Sequence, residues 1–215
     1  MTGPLPGVLL FVPVPHRDYR GFFTRTFDSR VALAHGIEAG AFLQDSQSRS
    51  SRGTVRGLHG RSGRGEGKLV RCARGAILDV LVDARPESVE FGRSAAVQLD
   101  DEDLVQLYVP PGFLHGFQAL TEWADVCYRI DREHDPTEDV AVQYDDPDLG
   151  IAWPLPVTAI SARDRAAGTW ADLRCRLLNS ASSSTPGPHN THSTATAAQE
   201  RLCTTNTRTS SRGKS

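Results

Sequence analysis

Two apolar runs meet at a tight turn in the stretch LVQLYVPPGFLHGFQAL, residues 104–120. The runs are rich in aliphatic and aromatic side chains, which favour strands. Pro110 and Pro111 fix φ, and Gly112 accepts positive φ, so the chain can reverse between the two runs. The stretch therefore predicts two consecutive strands joined by a short turn.

Strand signals continue on both sides of this stretch, whereas helical periodicity is weak. The best helical candidates are 29–39 and 161–173, where Ser161 could cap a short helix. Many short strands with close turns predict an all-β protein, a jelly-roll sandwich or barrel with a few short helices. The further predicted strands are 68–73, 76–83 and 125–130.

Composition limits the classes of protein that this chain can represent. The 215 residues suffice for one domain with a full core, and the net charge of −2 does not suit a nucleic-acid partner. No run of about 18 apolar residues predicts a membrane span, and the N-terminus lacks a signal-peptide pattern. The four cysteines are widely spaced, which favours reduced thiols and a cytoplasmic location.

The amino-acid composition changes sharply near position 176. Residues 1–176 mix apolar runs with Gly/Pro turns, whereas 177–215 is rich in Ser and Thr and poor in large apolar side chains. Such a segment cannot bury enough surface to offset its chain entropy. The sequence predicts one jelly-roll domain over 1–176 and a disordered tail over 177–215.

Several side chains suited to proton transfer lie in the predicted strands. An imidazole such as His59 commonly moves a proton at neutral pH, and the ammonium of Lys68 at a strand start could polarise a carbonyl oxygen. Tyr128 lies in an apolar strand and is a candidate acid. A base, an acid and a cation together indicate proton abstraction next to a carbonyl. Each residue could also have a purely structural or surface role: His59 as a core or surface histidine, Lys68 as a solvated lysine and Tyr128 as a core tyrosine.

Further charged residues could orient the base or bind phosphate. Asp164 could orient His59 or simply interact favourably with a helix start. Arg20 and Arg56 could clamp a diphosphate through bidentate bonds, although each alone is commonly a surface charge. A metal site would need several convergent histidines and a carboxylate, but His59 and His115 are isolated in the sequence. We therefore expect no metal.

Several collinear segments, covering roughly residues 8–175, resemble one known family. The combination resembles the sugar-nucleotide epimerases of the dTDP-4-dehydrorhamnose 3,5-epimerase family. The segments are 18–23, 42–50, 52–59, 67–71, 91–93, 110–117 and 145–155.

The resemblance implies a cupin-like jelly roll that usually forms homodimers and uses neither metal nor cofactor. It implies that His59 is the base, that Asp164 orients it, and that Tyr128 donates a proton on the opposite face. Lys68 would lie near the C4 oxygen. Arg20 would reach the site of the neighbouring subunit. The implied substrate-binding residues are Arg20, Gln44, Arg56, His115, His134, Asp139 and Arg163.

The substrate that the resemblance implies is a dTDP-4-keto-6-deoxyhexose. Its C4 ketone acidifies the hydrogens on C3 and C5, because the resulting carbanion delocalises as an enolate. Removal of a proton by His59 and return of one from Tyr128 would invert the carbon between them.

Departures from the family pattern leave several alternatives open. Gly60-Arg61 replaces a usual Tyr-Gln, and His134 occupies the position of a tyrosine that stacks on thymine. Arg25 replaces a glutamate, and Ser46 replaces an asparagine. None removes the proposed acid or base. The alternatives are a single-centre 3- or 5-epimerase, a 3,4-ketoisomerase, an inactive sugar-nucleotide-binding module, and a metal-dependent cupin enzyme.

Overall fold

The computed structural model describes residues 1–38, 40 and 42–183. A short 3-10 helix covers Pro136–Glu138. The strands are β1 Leu9–Phe11, β2 His16–Asp18, β3 Gly21–Phe23, β4 Gln44–Ser51, β5 Val55–Arg61, β6 Lys68–Arg74, β7 Ala76–Asp83, β8 Ser94–Asp100, β9 Gln106–Val109, β10 Phe113–Ala119, β11 Trp123–Ile130 and β12 Asp139–Ala141. The helices are α1 Ser29–Ala34, α2 Ala162–Arg165 and α3 Trp170–Ser183.

The strands form two five-stranded sheets and a separate hairpin. Sheet I has the order β1-β9-β6-β11-β4, sheet II has the order β12-β5-β10-β7-β8, and β2 pairs with β3. All strand pairs in the sheets are antiparallel. The predicted all-β sandwich is therefore confirmed.

The predicted strands match the structure closely. The turn at 110–112 joins β9 to β10, and β7 has the bounds that the sequence predicted. Strands β6 and β11 extend slightly beyond their predicted ends. The agreement follows from side-chain type, because these segments are rich in apolar side chains and most of the turns between them contain Pro or Gly.

The helices differ from the predictions. The segment 161–173 forms two helices rather than one, and α1 ends at Ala34 instead of reaching 39. Helix α3 has 14 residues and continues to Ser183, past the predicted domain end at 176. The start of the predicted tail is thus helical, and residues 184–215 lie outside the described part of the chain.

Sheet II is buried on both faces. Its inner face contributes Ile77 and Phe117 to a core shared with Val70 and Val126 of sheet I. Its outer face packs Val80 and other apolar residues against Trp170 and Leu173 of α3. Strand β10 is accordingly buried along its whole length, as expected for a strand covered on both sides. The apolar core between the sheets leaves one end of the sandwich for polar side chains.

Candidate active site

An open cavity of about 660 Å³ lies between the two sheets at this polar end. Sheet I contributes Lys68 and Tyr128, and sheet II contributes His59 and His115. Helix α2 closes one side with Asp164. A cavity of this size, with several polar groups directed into it, suits a small-molecule ligand.

His59 and Asp164 form a close pair at the cavity wall. His59 Nε2 lies 2.6 Å from Asp164 Oδ1. An ionised carboxylate only accepts hydrogen bonds, so such a partner fixes Nε2 as the donor and leaves Nδ1 as the basic nitrogen. Among the described residues, Nδ1 has no hydrogen-bond partner. His59 is therefore arranged to accept a proton from a bound ligand.

Backbone geometry places Asp164 next to the histidine. Ser161 caps α2, as the sequence predicted, by accepting a hydrogen bond from the amide of Asp164 at 3.0 Å. The amide of Gly57 donates to Asp164 Oδ2 at 3.4 Å. Gly57 has φ +129°, and a Cβ there would lie 2.6 Å from the Cα of Gly116. Only glycine fits this close approach of β5 to β10, two residues before His59.

Tyr128 faces the same cavity from the opposite sheet. Its hydroxyl lies 3.3 Å from Ser48 Oγ, and its ring meets the His115 ring edge-on, with centroids 6.2 Å apart. Burial raises the pKa of Tyr128 well above its usual value, and the hydrogen bond between Tyr128 and Ser48 opposes this only in part. The group is therefore held as a neutral phenol, which is the form that can donate a proton.

Lys68 lies at the start of β6 and forms an ion pair within the wall of the cavity. Its Nζ lies 2.7 Å from Glu66 Oε1. Burial alone would raise the pKa of Glu66, but the positive charges of Lys68 and Arg61 outweigh it and lower that pKa. Glu66 is thus an ionised partner that holds the ammonium in place.

Two arginines add positive charge to the cavity. Arg56 donates from Nε to Ser50 Oγ at 2.9 Å and from Nη2 to the carbonyl of Arg49 at 3.1 Å. Arg163 lies on α2 and donates from Nη2 to Asp139 Oδ2 at 2.6 Å. Both line the cavity. Cationic side chains of this kind suit a phosphate-bearing ligand.

The structure separates the predicted site residues into two groups. His59, Lys68, Arg56, His115, Tyr128, Arg163 and Asp164 all line the cavity. Gln44, His134 and Asp139 are not among its lining residues, although Asp139 contacts Arg163 and lies 3.5 Å from His134 Nε2. Arg20 lies apart, exposed beside the β2–β3 hairpin, where it pairs with Asp18 at 2.5 Å.

Sequence reasoning missed three residues that support the site. Asp79 is fully buried and lies 2.8 Å, through Oδ2, from His115 Nε2. Ser48 is the hydroxyl partner of Tyr128, and Glu66 is the ion-pair partner of Lys68. The sequence could have indicated Asp79, because a carboxylate inside an apolar strand needs a buried partner. Ser48 and Glu66 lie in polar segments and gave no such signal.

Other features of the described residues bear on the remaining predictions. Across 1–38, 40 and 42–183, no three His, Cys, Asp or Glu side chains are grouped to hold a metal ion. Cys72 and Cys127 form no disulfide, and Cys203 lies outside the described part of the chain. None of the helices in these ranges has the length and apolar character needed to span a bilayer.

Comparisons with known proteins agree with this geometry. A family model described as dTDP-4-dehydrorhamnose 3,5-epimerase matches residues 2–172. The dTDP-4-dehydrorhamnose 3,5-epimerase of Methanothermobacter thermautotrophicus is 40% identical over 173 residues, which cover 79% of this chain and 91% of that protein.

Solved structures of two bacterial epimerases share the fold. The dTDP-6-deoxy-D-glucose-3,5-epimerase of Legionella pneumophila, in complex with dTDP-4-keto-L-rhamnose, is 36% identical with a TM-score of 0.75, covering 80% of this chain and 95% of that one. A 3′-monoepimerase from Streptomyces bikiniensis, in complex with dTDP-quinovose, is 32% identical with a TM-score of 0.75, covering 93% and 97%. The chain therefore belongs to the dTDP-4-dehydrorhamnose 3,5-epimerase family.

Proposed function

We propose that this protein is an epimerase that inverts C3, C5 or both in a dTDP-4-keto-6-deoxyhexose during deoxysugar biosynthesis. One observation carries the proposal. The His59–Asp164 pair and the Tyr128 phenol line one cavity from opposite sheets. A base and an acid on opposite sides of a sugar ring can remove a proton from one face and return one to the other.

The first step is removal of a proton next to the ketone. His59 accepts the proton through Nδ1, and Asp164 stabilises the imidazolium that forms. The electron pair left on carbon moves toward the C4 oxygen and forms an enolate. The substrate's own ketone thus holds the electron pair, so the proposed reaction needs neither cofactor nor metal.

Lys68 is the proposed stabiliser of the enolate oxygen. A preorganised charged donor at a developing oxyanion is commonly worth about 3 kcal/mol or more. The ion pair with Glu66 at 2.7 Å supports this role, because it keeps the ammonium at the cavity wall before substrate binds. His115, which the buried Asp79 orients, is proposed to contact the sugar nearby.

Tyr128 is the proposed donor of the second proton. Its burial keeps the phenol protonated, so a proton is available on the face away from His59. Donation to the enolate carbon inverts the centre and leaves a transient phenolate. The phenolate then takes a proton from solvent and the His59 imidazolium releases one, which restores both groups. Repetition at the second carbon would give the 3,5-epimer.

The nucleotide end of the substrate is proposed to lie along the arginine side of the cavity. Arg56 and Arg163 would bind the diphosphate. Gln44, His134 and Asp139 would contact the sugar or base. These three residues do not line the cavity in the isolated chain, so their roles require the ligand to extend beyond it. A cytoplasmic location likewise stays a prediction.

The decisive experiment measures proton exchange at the two carbons. Wild-type protein mixed with dTDP-4-keto-6-deoxyglucose in D₂O is expected to introduce deuterium at C3, at C5 or at both, followed by NMR. Uptake at one carbon alone would identify a single-centre enzyme, the class that the Streptomyces bikiniensis relative represents. Absence of uptake at both carbons, with dTDP still bound, would leave a binding module. Movement of the carbonyl carbon signal would instead identify a ketoisomerase.

We also propose that the protein acts as a homodimer in which Arg20 enters the partner's site. The exposed position of Arg20 and of the neighbouring Phe22 and Phe23 supports this, because apolar side chains on a projecting hairpin favour contact with another chain.

Subunit complementation tests the shared site. Arg20→Ala and His59→Asn subunits are each expected to be nearly inactive as homodimers. In a mixed dimer, one of the two sites combines an intact His59 with an intact Arg20. Random assortment should restore about a quarter of the wild-type rate. No recovery in a mixture shown by native mass spectrometry to contain mixed dimers would exclude the exchange of Arg20.

A further inference from the structure

Five alternating charges form a continuous chain whose two terminal cations line the cavity. Lys68 Nζ lies 2.7 Å from Glu66 Oε1, and Arg61 Nε lies 3.0 Å from Glu66 Oε2. On the other side, Arg61 Nη1 lies 3.3 Å from Asp139 Oδ1, and Arg163 Nη2 lies 2.6 Å from Asp139 Oδ2. Each anion therefore lies between two cations.

Arg61 is the centre of this chain and its most buried member. Its side chain is 6% exposed, compared with 10% for Glu66, 12% for Lys68 and 16% for Asp139. Arg163, at the cavity end, is 60% exposed. Arg61 and Glu66 do not line the cavity, whereas the two terminal cations do. The buried centre thus supports charged groups that a ligand can reach.

The guanidinium of Arg61 is suited to hold two carboxylates at once. Its donors lie in one rigid plane, so Nε can face Glu66 while Nη1 faces Asp139. Arg61 Nη1 also donates to the carbonyl of Asp135, which fixes the group further. The neighbouring charges lower the pKa of both carboxylates although burial alone would raise it. Both carboxylates are therefore ionised at neutral pH.

We propose that Arg61 is a positioning residue that, by binding Glu66 and Asp139 together, holds Lys68 and Arg163 at the cavity wall. The inference rests on the proposed function, because it assigns Lys68 to the enolate oxygen and Arg163 to the diphosphate. A neutral side chain at position 61 could not form two ion pairs, so this chain positions its cations by a charge network centred on Arg61.

Preorganisation explains why a buried arginine should affect the reaction. The lysine ammonium lies at the end of a flexible four-carbon side chain. It stabilises the oxyanion fully only if it is already in position when the negative charge develops. Misplacement by about 1 Å can cost about 100-fold in rate. Removal of the Glu66 charge should therefore slow proton exchange without altering the diphosphate contacts.

Two substitutions and a matched control test the network. In Glu66→Gln, deuterium uptake at saturating substrate should fall about 10- to 100-fold, while dTDP affinity measured by calorimetry stays at the wild-type value. In Arg61→Gln, uptake should fall similarly and dTDP affinity should weaken about two- to fivefold, because Asp139 then neutralises Arg163 more strongly. Arg64→Gln makes the same chemical change at an exposed position in the loop after β5 and should alter neither quantity.

The separation of rate from affinity distinguishes positioning from folding. If Arg61→Gln fails to fold, the Arg61→Gln/Glu66→Gln double variant removes both charges together, and its uptake should still be slowed. The inference would be overturned if Glu66→Gln took up deuterium at the wild-type rate. It would also be overturned if that variant lost rate and dTDP affinity equally. Failure of the wild-type protein to exchange deuterium would instead overturn the proposed function.

Discussion

Replacement of His59 by asparagine is expected to lower deuterium uptake at both C3 and C5 by about 10²–10⁴-fold. Asparagine is smaller than histidine, and its amide nitrogen ends one bond short of the position of His59 Nε2, which lies 2.6 Å from Asp164 Oδ1. It cannot accept a proton at neutral pH, because its side-chain polar atoms are an amide nitrogen and an amide oxygen. The substitution therefore removes the base and leaves the cavity largely intact.

The controls for His59→Asn separate loss of chemistry from loss of structure. His35 is an exposed histidine at the end of α1, where Nδ1 lies 2.9 Å from the carbonyl of Val31. His35→Asn should leave uptake unchanged. Affinity for dTDP should be retained in both variants, since Arg56 and Arg163, which are proposed to bind the diphosphate, are untouched. Uptake within tenfold of wild type in His59→Asn would mean that another group is the base.

The sequence predicted the strands better than the ends of the domain. Strand β7 was predicted correctly because its side chains are apolar and turns lie on both sides. The end of α3 was not predicted correctly, because the Ser/Thr-rich composition suggested a disordered tail from 177. Leu177 packs against the cluster that contains Trp170 and Leu173. One apolar contact at the right helical spacing therefore extends the helix into a segment whose composition argues against it.

The sequence indicated the residues proposed to act directly on the substrate. It did not indicate the residues that hold those side chains in position. His59, Tyr128 and Asp164 could be named from residue type and family resemblance, and all three line one cavity. Arg61 ends β5, and Glu66 lies in the glycine-rich loop that follows, where the sequence suggests that both charges are solvated. Only the fold brings both side chains out of solvent and into contact at 3.0 Å.

His115 illustrates the same limit within the core. Its place after the Pro-Pro-Gly turn was clear, yet the residue that orients it lies on the neighbouring strand. Asp79 pairs with His115 at 2.8 Å in the interior between the sheets. Strand register decides this pairing, because β10 and β7 align Phe117 with Asp79 and bring the His115 side chain alongside. Register between distant segments follows from the whole sheet and cannot be read from either strand alone.

Replacement of Tyr128 by phenylalanine is expected to separate proton exchange from inversion. The substitution removes the hydroxyl, and with it the contact to Ser48 at 3.3 Å, while the ring can keep its packing against His115. His59 can still remove a proton and return a deuteron to the same face. Deuterium should therefore enter the substrate, whereas inversion should slow by about 10²–10⁴-fold.

The measurement compares the rate of deuterium uptake with the rate of epimer formation in one NMR experiment. Tyr144→Phe is the matched control, because Tyr144 is partly buried beside Trp153 and outside the cavity, and its ratio of the two rates should equal that of wild type. Burial raises the pKa of Tyr128, so the phenol stays protonated as pH rises through 7 to about 9. Wild-type inversion should thus not fall over that range for lack of the acid. Inversion that keeps pace with uptake in Tyr128→Phe would show that another donor protonates the second face, and the two-faced arrangement of His59 and Tyr128 would then be wrong.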